Sequence, residues 1–289
     1  MKKLILSIVS IIIAIIALGT STFAWFSLSN RASVGQFNAE VTGGEGLEIS
    51  LDNSSWYSSI PSSVMQAHLA SIYGGSLSED KPILRDVTSF DGKNFNVFND
   101  IADDGWIEFN IMFRSRSLSE VYWTNAQLGG ANFNWTPDNE FLLGEEYQVS
   151  PESTVVINPA NALRLSIEGI VDNVSTVYAY EKADGVDGNV YLGTTPSIYG
   201  SVSYYNAKNS ANPINVSDFP DNLLDTFTNF YPTTSENKQI LTLVENGSTS
   251  YYEGSITVRV WMEGWDADTY DSILGRSVSV SLAFASPEI

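Results

Sequence analysis

The chain has 289 residues, 34 acidic against 14 basic side chains, a net charge of -20 and no cysteine. That charge repels phosphate backbones, which sets nucleic acid aside as a partner. The missing thiols set aside a disulfide framework and a thiolate metal site.

Met1-Lys2-Lys3 is a positive n-region, Leu4 to Leu18 is an uncharged apolar run, and Gly19-Thr20-Ser21 are small. This order reads as a secretory signal peptide over residues 1–24. Thr22-Phe23-Ala24 puts small residues where a signal peptidase inspects them, so the expected cut lies between Ala24 and Trp25. The apolar run is shorter than the roughly 20 residues of a membrane-crossing helix. Continued to Phe26 the stretch nearly reaches that length, so an uncleaved anchor is the alternative; with cleavage the membrane is a partner only beforehand, and either way the lysines stay inside. The roughly 265 residues that follow suffice for one self-sufficient core, read as a single secreted domain over 25–289.

Short β-branched and aromatic runs separated by turn residues mark this domain as all-β, a sandwich or barrel. Val34 to Val41 alternates in part and ends at the glycines of Thr42 to Gly46; Leu47, Ile49 and Leu51 then share one face, and the two runs are expected to form a hairpin. Pro61 to Gly74 has Pro at its start, Gly at its stop and apolar residues at helical spacing. Trp106 to Arg114 alternates clearly, with Ile107, Phe109, Ile111 and Phe113 facing in, and Val121-Tyr122-Trp123 is expected to pair near it. Ala162 to Glu168 and Val177 to Tyr180 are further strands. Residues 183–238, rich in Gly, Asn, Tyr and Pro, read as a long surface insertion, with a second helix over Phe219 to Phe230. Ile256 to Met262 and Val278 to Phe284 close the chain as alternating strands around a short acidic connection.

Chemistry-bearing constellations are few. The single histidine, His68, lies beside the apolar face of the first helix and reads as a packing residue; no His-Glu-x-x-His pair exists for zinc. Asp266, Asp268 and Asp271 crowd one connection, and such oxygen-rich loops can hold calcium, although the glycine and closing glutamate of an EF-hand are missing. The plain alternative is a solvated acidic turn with Asp266 capping a short helix. No two carboxylates stand out as a glycosidase pair. The seven tryptophans fall mostly in or beside predicted strands, which favours core over a sugar-stacking platform. No residue is assigned a catalytic or cofactor-binding role.

The order of signal peptide, Thr22-Phe23-Ala24, the aromatic pair Trp25-Phe26, and then Phe37-Asn38-Ala39-Glu40-Val41 leading to Gly46-Leu47-Glu48-Ile49-Ser50 resembles the N-terminus of the TasA/camelysin family of exported bacterial surface proteins. Trp25 stands where that family has a small residue, and Ser27-Leu28 where a polar pair is common. The segment Ile256 to Phe284 is similar to C-terminal segments of proteins with the same N-terminal signature. The resemblance implies a jelly-roll-like β-sandwich cut by a SipW-type signal peptidase. It also implies a non-enzymatic, secreted subunit of a biofilm-matrix or cell-surface fibre, whose partner is a second copy of itself. In that scheme residues 25–32 form a donor segment, and Trp25, Phe26 and Leu28 supply the apolar side chains that fill the next subunit. The alternative is a monomeric carbohydrate- or calcium-binding adhesion module.

Overall fold

The computed structural model describes residues 37–43, 46–73, 84, 86–97, 100–145, 147–183, 197–273 and 276–286. Thirteen strands build its two larger sheets: β1 (Phe37–Gly43), β2 (Glu48–Ser50), β3 (Ser59–Ile60), β4 (Asp86–Val87), β5 (Trp106–Ser115), β6 (Glu120–Gly130), β7 (Leu163–Val171), β8 (Val174–Glu181), β9 (Thr226–Phe227), β10 (Lys238–Thr242), β11 (Val244–Asn246), β12 (Tyr251–Glu263) and β13 (Val278–Ala285). The five-stranded sheet runs β10-β6-β13-β1-β3. The eight-stranded sheet runs β9-β8-β7-β12-β5-β2, and β4 and β11 also pair with β12. Most pairs are antiparallel, but β1–β13, β8–β9 and β4–β12 are parallel. The architecture is all-β and sandwich-like.

Alternation explains which side chains enter the core. In β5 the buried positions are Ile107, Phe109, Ile111 and Phe113, with Glu108 and Asn110 exposed between them, as the sequence pattern predicts. Leu163, Leu165 and Ile167 of β7 and Val258 and Val260 of β12 join them from the same sheet. Trp123, Leu128, Val280, Leu282 and Phe284 arrive from the other. The rings of Phe113 and Phe284 meet edge to face across the two sheets, 5.1 Å between centroids. Each such side chain contributes about 1.5–3 kcal/mol on burial. One contact is closer than a side chain allows: a Cβ at Gly169 of β7 would lie 1.8 Å from the carbonyl oxygen of Ile240 in β10. Glycine is required there because the two backbones touch.

The β7–β8 hairpin turns at Asp172 and Asn173, both with positive φ (49° and 67°), the mirror-image turn that matches strand twist. Helix α1 (Ser62–Tyr73) forms just after Pro61, as predicted, and buries Met65 and Leu69.

Three local expectations are corrected. The runs before and after Thr42 to Gly46 do not form a hairpin: β1 pairs with β13 and β3 in one sheet, whereas β2 pairs with β5 in the other. Val121 to Trp123, within β6, likewise pairs with β10 and β13 and not with β5. Alternation decides which face is buried and is silent on the partner strand. The helix expected over Phe219 to Phe230 is also absent. A 3-10 turn (Val216–Asp218) precedes this stretch and β9 lies inside it. Pro220 and the β-branched Thr226 and Thr228 disfavour a helix, and Phe227 and Phe230 pack onto Trp123 and Tyr180, with centroids 5.2–5.5 Å apart.

Of the stretch read as a surface insertion, the described residues 197–238 contribute to the core as well as to the surface. Helix α2 (Ser201–Lys208) buries Val202, Tyr204 and Tyr205. Tyr204 stacks edge-on against Trp135 and Phe141.

Candidate functional site

Two regions hold the residues singled out from the sequence. The first is the edge of the five-stranded sheet. β1 runs parallel to β13 over its whole length, from Phe37 opposite Val278 to Gly43 opposite Phe284. On its other side β3 pairs only with Val41 and Thr42. Among the described residues, no strand lies against Phe37–Glu40 on that side, so their backbone groups form an open edge. The signal peptide, the cut between Ala24 and Trp25, and the side chains Trp25, Phe26 and Leu28 lie outside the described residues.

The second region is the acidic connection after β12. It is not a solvated turn. Glu263 and Asp266 are 4 % and 2 % exposed, and Trp265 is buried between them. Asp266 forms an ion pair with the guanidinium of Arg164, which is itself 2 % exposed. Arg164 Nε also lies 2.9 Å from Glu181 Oε2, a close ion contact without a well-aimed hydrogen bond. Its Nη1 donates to the carbonyls of Asn161 and Leu163 at 3.0 and 2.8 Å. Glu263 accepts hydrogen bonds from Trp261 Nε1 (3.1 Å) and from the Trp265 amide (3.3 Å). Burial pushes Glu181, Glu263 and Asp266 above the usual carboxylate range, against the lowering pull of Arg164. One guanidinium does not neutralise three buried carboxylates. Asp266 has the guanidinium in direct contact, whereas Glu263 meets only the neutral donors Trp261 Nε1 and the Trp265 amide, which pull its pKa down against the larger effect of burial.

The calcium candidates do not converge. Asp266 is committed to Arg164. Asp268 Oδ2 accepts from Asn161 Nδ2 at 3.1 Å, and exposed Asp271 has Lys208 Nζ 3.9 Å away. Asp266 closes a local turn, its Oδ1 accepting from the Asp268 amide at 2.8 Å, but it caps no helix: the only helical piece of the connection among the described residues is a 3-10 turn over Asp271–Ile273, which starts beyond it. No group of three or more His, Asp or Glu placed to hold a metal occurs among the described residues.

Beside this connection a cavity of about 180 Å³ is walled by Tyr204, Tyr205, Tyr270, Lys208, Asn209 and Asp271. Burial and the Asp138 carboxylate, which accepts from its hydroxyl at 2.5 Å, push Tyr204 up to about 12. His68 is half-buried on α1, and burial lowers its pKa. The sequence reading missed Arg164 and Glu181 as partners of the acidic connection. Their signal was weak: each is one polar residue in or beside an alternating run, where an outward-facing position is the ordinary expectation.

No family model, no curated protein and no solved structure matches this chain. Among the described residues, no helix is long and apolar enough to cross a membrane.

Proposed function

We propose that this protein is an exported, non-enzymatic structural subunit that assembles head to tail into a fibre at the cell surface or in a biofilm matrix. Signal-peptide removal before Trp25 frees residues 25–32, and this segment of one subunit adds as a strand to the sheet of the next. The observation that carries this reading is the position of β1, a parallel strand at a sheet edge with Phe37–Glu40 open on one side among the described residues. An open edge of this kind is completed by β-augmentation, whose backbone hydrogen bonds need no particular side chain. Trp25, Phe26 and Leu28 would add apolar area at alternating and adjacent positions. Such a contact is heterologous and does not close, so it propagates as a filament. The jelly-roll topology and the SipW-type peptidase implied by the N-terminal resemblance belong to this same reading.

The alternative adhesion module draws on less. The carboxylates read as a calcium site have separate partners.

The test is export of the protein with its own signal, intact-mass determination of the mature N-terminus, and negative-stain microscopy of the same sample. A chain beginning at Trp25 that forms fibres supports the proposal. A correctly cleaved chain that remains monomeric at high concentration overturns it.

A further inference from the structure

The ends of the β7–β8 hairpin meet a third segment in an arrangement that the assembly reading does not use. Asn161 precedes β7, Lys182 follows β8, and Asp268 lies in the connection after β12. Lys182 Nζ donates to Asn161 Oδ1 at 2.9 Å, while Asn161 Nδ2 donates to Asp268 Oδ2 at 3.1 Å. All three residues are half-buried. The carboxamide is thus held on both sides, its oxygen toward an amine and its nitrogen toward a carboxylate. With a C=O bond of about 1.23 Å, Lys182 Nζ lies within about 4.1 Å of Asn161 Cγ. Near-attack separations are about 3–3.5 Å, so a small torsional change of either side chain brings the amine onto the carbonyl carbon.

The buried ion cluster underneath fixes the same three segments. Arg164 Nη1 holds the Asn161 carbonyl, its Nε faces Glu181, the residue before Lys182, and its Nη2 holds Asp266. Asp266 in turn accepts from the Asp268 amide. One buried guanidinium therefore aligns the backbones that carry amine, carboxamide and carboxylate. Lys93 and Lys208 lack this chemistry: their hydrogen bonds run to Glu168 and Ser175, and to Tyr204.

We infer that Lys182 and Asn161 form an intramolecular isopeptide bond, with Asp268 as proton shuttle. Lys182 Nζ releases one proton to water and attacks Asn161 Cγ, forming the new C–N bond. The proton left in surplus on Nζ passes through the Asp268 carboxylate to Nδ2. The Cγ–Nδ2 bond then breaks and ammonia departs, taking up the released proton. A lysine ammonium and a carboxamide become a secondary amide and an ammonium ion; nothing is oxidised or reduced, and Asp268 is regenerated. The bond staples the open end of the β7–β8 hairpin in a chain that has no cysteine to do so.

The experiment is intact-mass measurement of the full chain, exported and purified under native conditions, followed by proteolysis and fragment sequencing. The expected result is a mass lower by one ammonia than the cleaved sequence requires, and a branched peptide joining Asn161 to Lys182. Lys182→Arg, which keeps the charge and a donor but no nucleophilic amine, and Asp268→Asn should both restore the full mass while retaining the wild-type circular dichroism. Lys182→Arg should also melt at lower temperature. A folded wild-type protein at its full mass after prolonged incubation overturns the inference. So does a lost ammonia that maps to a succinimide at Asn246-Gly247.

Discussion

Glu263 lies inside the protein beside a single guanidinium, that of Arg164, which Glu181 and Asp266 already engage. Its carboxyl is raised above 4.5, first by burial, and this has a sign for stability. Below the ordinary carboxylate range both the folded and unfolded chains hold the proton, and the contribution is complete. As pH rises through the folded value, the unfolded chain has already released its proton and the folded chain resists, so stability is lost toward alkaline pH. Glu168 acts oppositely. Burial raises it, but Lys93 and Arg259 outweigh that and hold it low, so its contribution is lost as pH falls. Melting temperature against pH should therefore fall on both sides, and Glu263→Gln should flatten the alkaline limb alone. An unchanged alkaline limb in that variant would show that Glu263 is ionised in the folded protein at neutral pH. Gly169 makes a second residue-level prediction. Because an added Cβ meets the Ile240 carbonyl at 1.8 Å, Gly169→Ala should cost about 3 kcal/mol or more, read from the urea midpoint.

Elements were legible where local pattern and local chemistry agreed. β5 was read from its alternation, α1 from Pro61 and the spacing of Met65 and Leu69, and the strands now seen as β7 and β8 from theirs. Phe219 to Phe230 was misread because Leu223, Leu224, Phe227 and Phe230 can be drawn on one helical face as easily as on an irregular segment. What decides is tertiary: Phe227 and Phe230 are held by Trp123 and Tyr180, and β9 pairs with β8. Phe227→Ala should accordingly cost about 3 kcal/mol and leave the β7–β8 hairpin protected from hydrogen exchange. A cost near zero would mean that the segment is merely draped on the surface.

For the whole molecule, the governing fact is that neighbours in sequence are separated between sheets. β1 and β2 part after Thr42-Gly43, β5 and β6 part again, and β12 and β13 lie in different sheets. The core is closed by contacts between distant strands, which places β1 beside β13 and leaves Phe37–Glu40 of β1 on an open sheet edge among the described residues. If this edge receives a second copy, the net charge of -20 sets the conditions. Like-charged subunits repel, and salt at about 0.1 M shortens the reach of that repulsion to about 10 Å. Fibre growth of the cleaved protein should then be faster at 0.1 M salt than at about 0.01 M, where the Debye length is about 30 Å, followed by light scattering. Deletion of residues 25–30 should abolish growth at either salt and leave the melting curve in place. Growth that persists without those residues would count against the donor-segment proposal.

The sequence by itself determined the β class, the buried face of each clear strand, the first helix and the absence of disulfide chemistry, because periodicity and composition are local and suffice for these. Strand partners were left to the tertiary structure, since alternation is identical for every partner a strand might take. So was the fate of the acidic connection: Asp266 in sequence is one more acid in a turn, and only the arrival of Arg164 from β7 makes it a buried ion pair. The meeting of Asn161, Lys182 and Asp268 has the same origin. Their separation along the chain hides it, and the packing of the β7–β8 hairpin against the connection after β12 brings the three together.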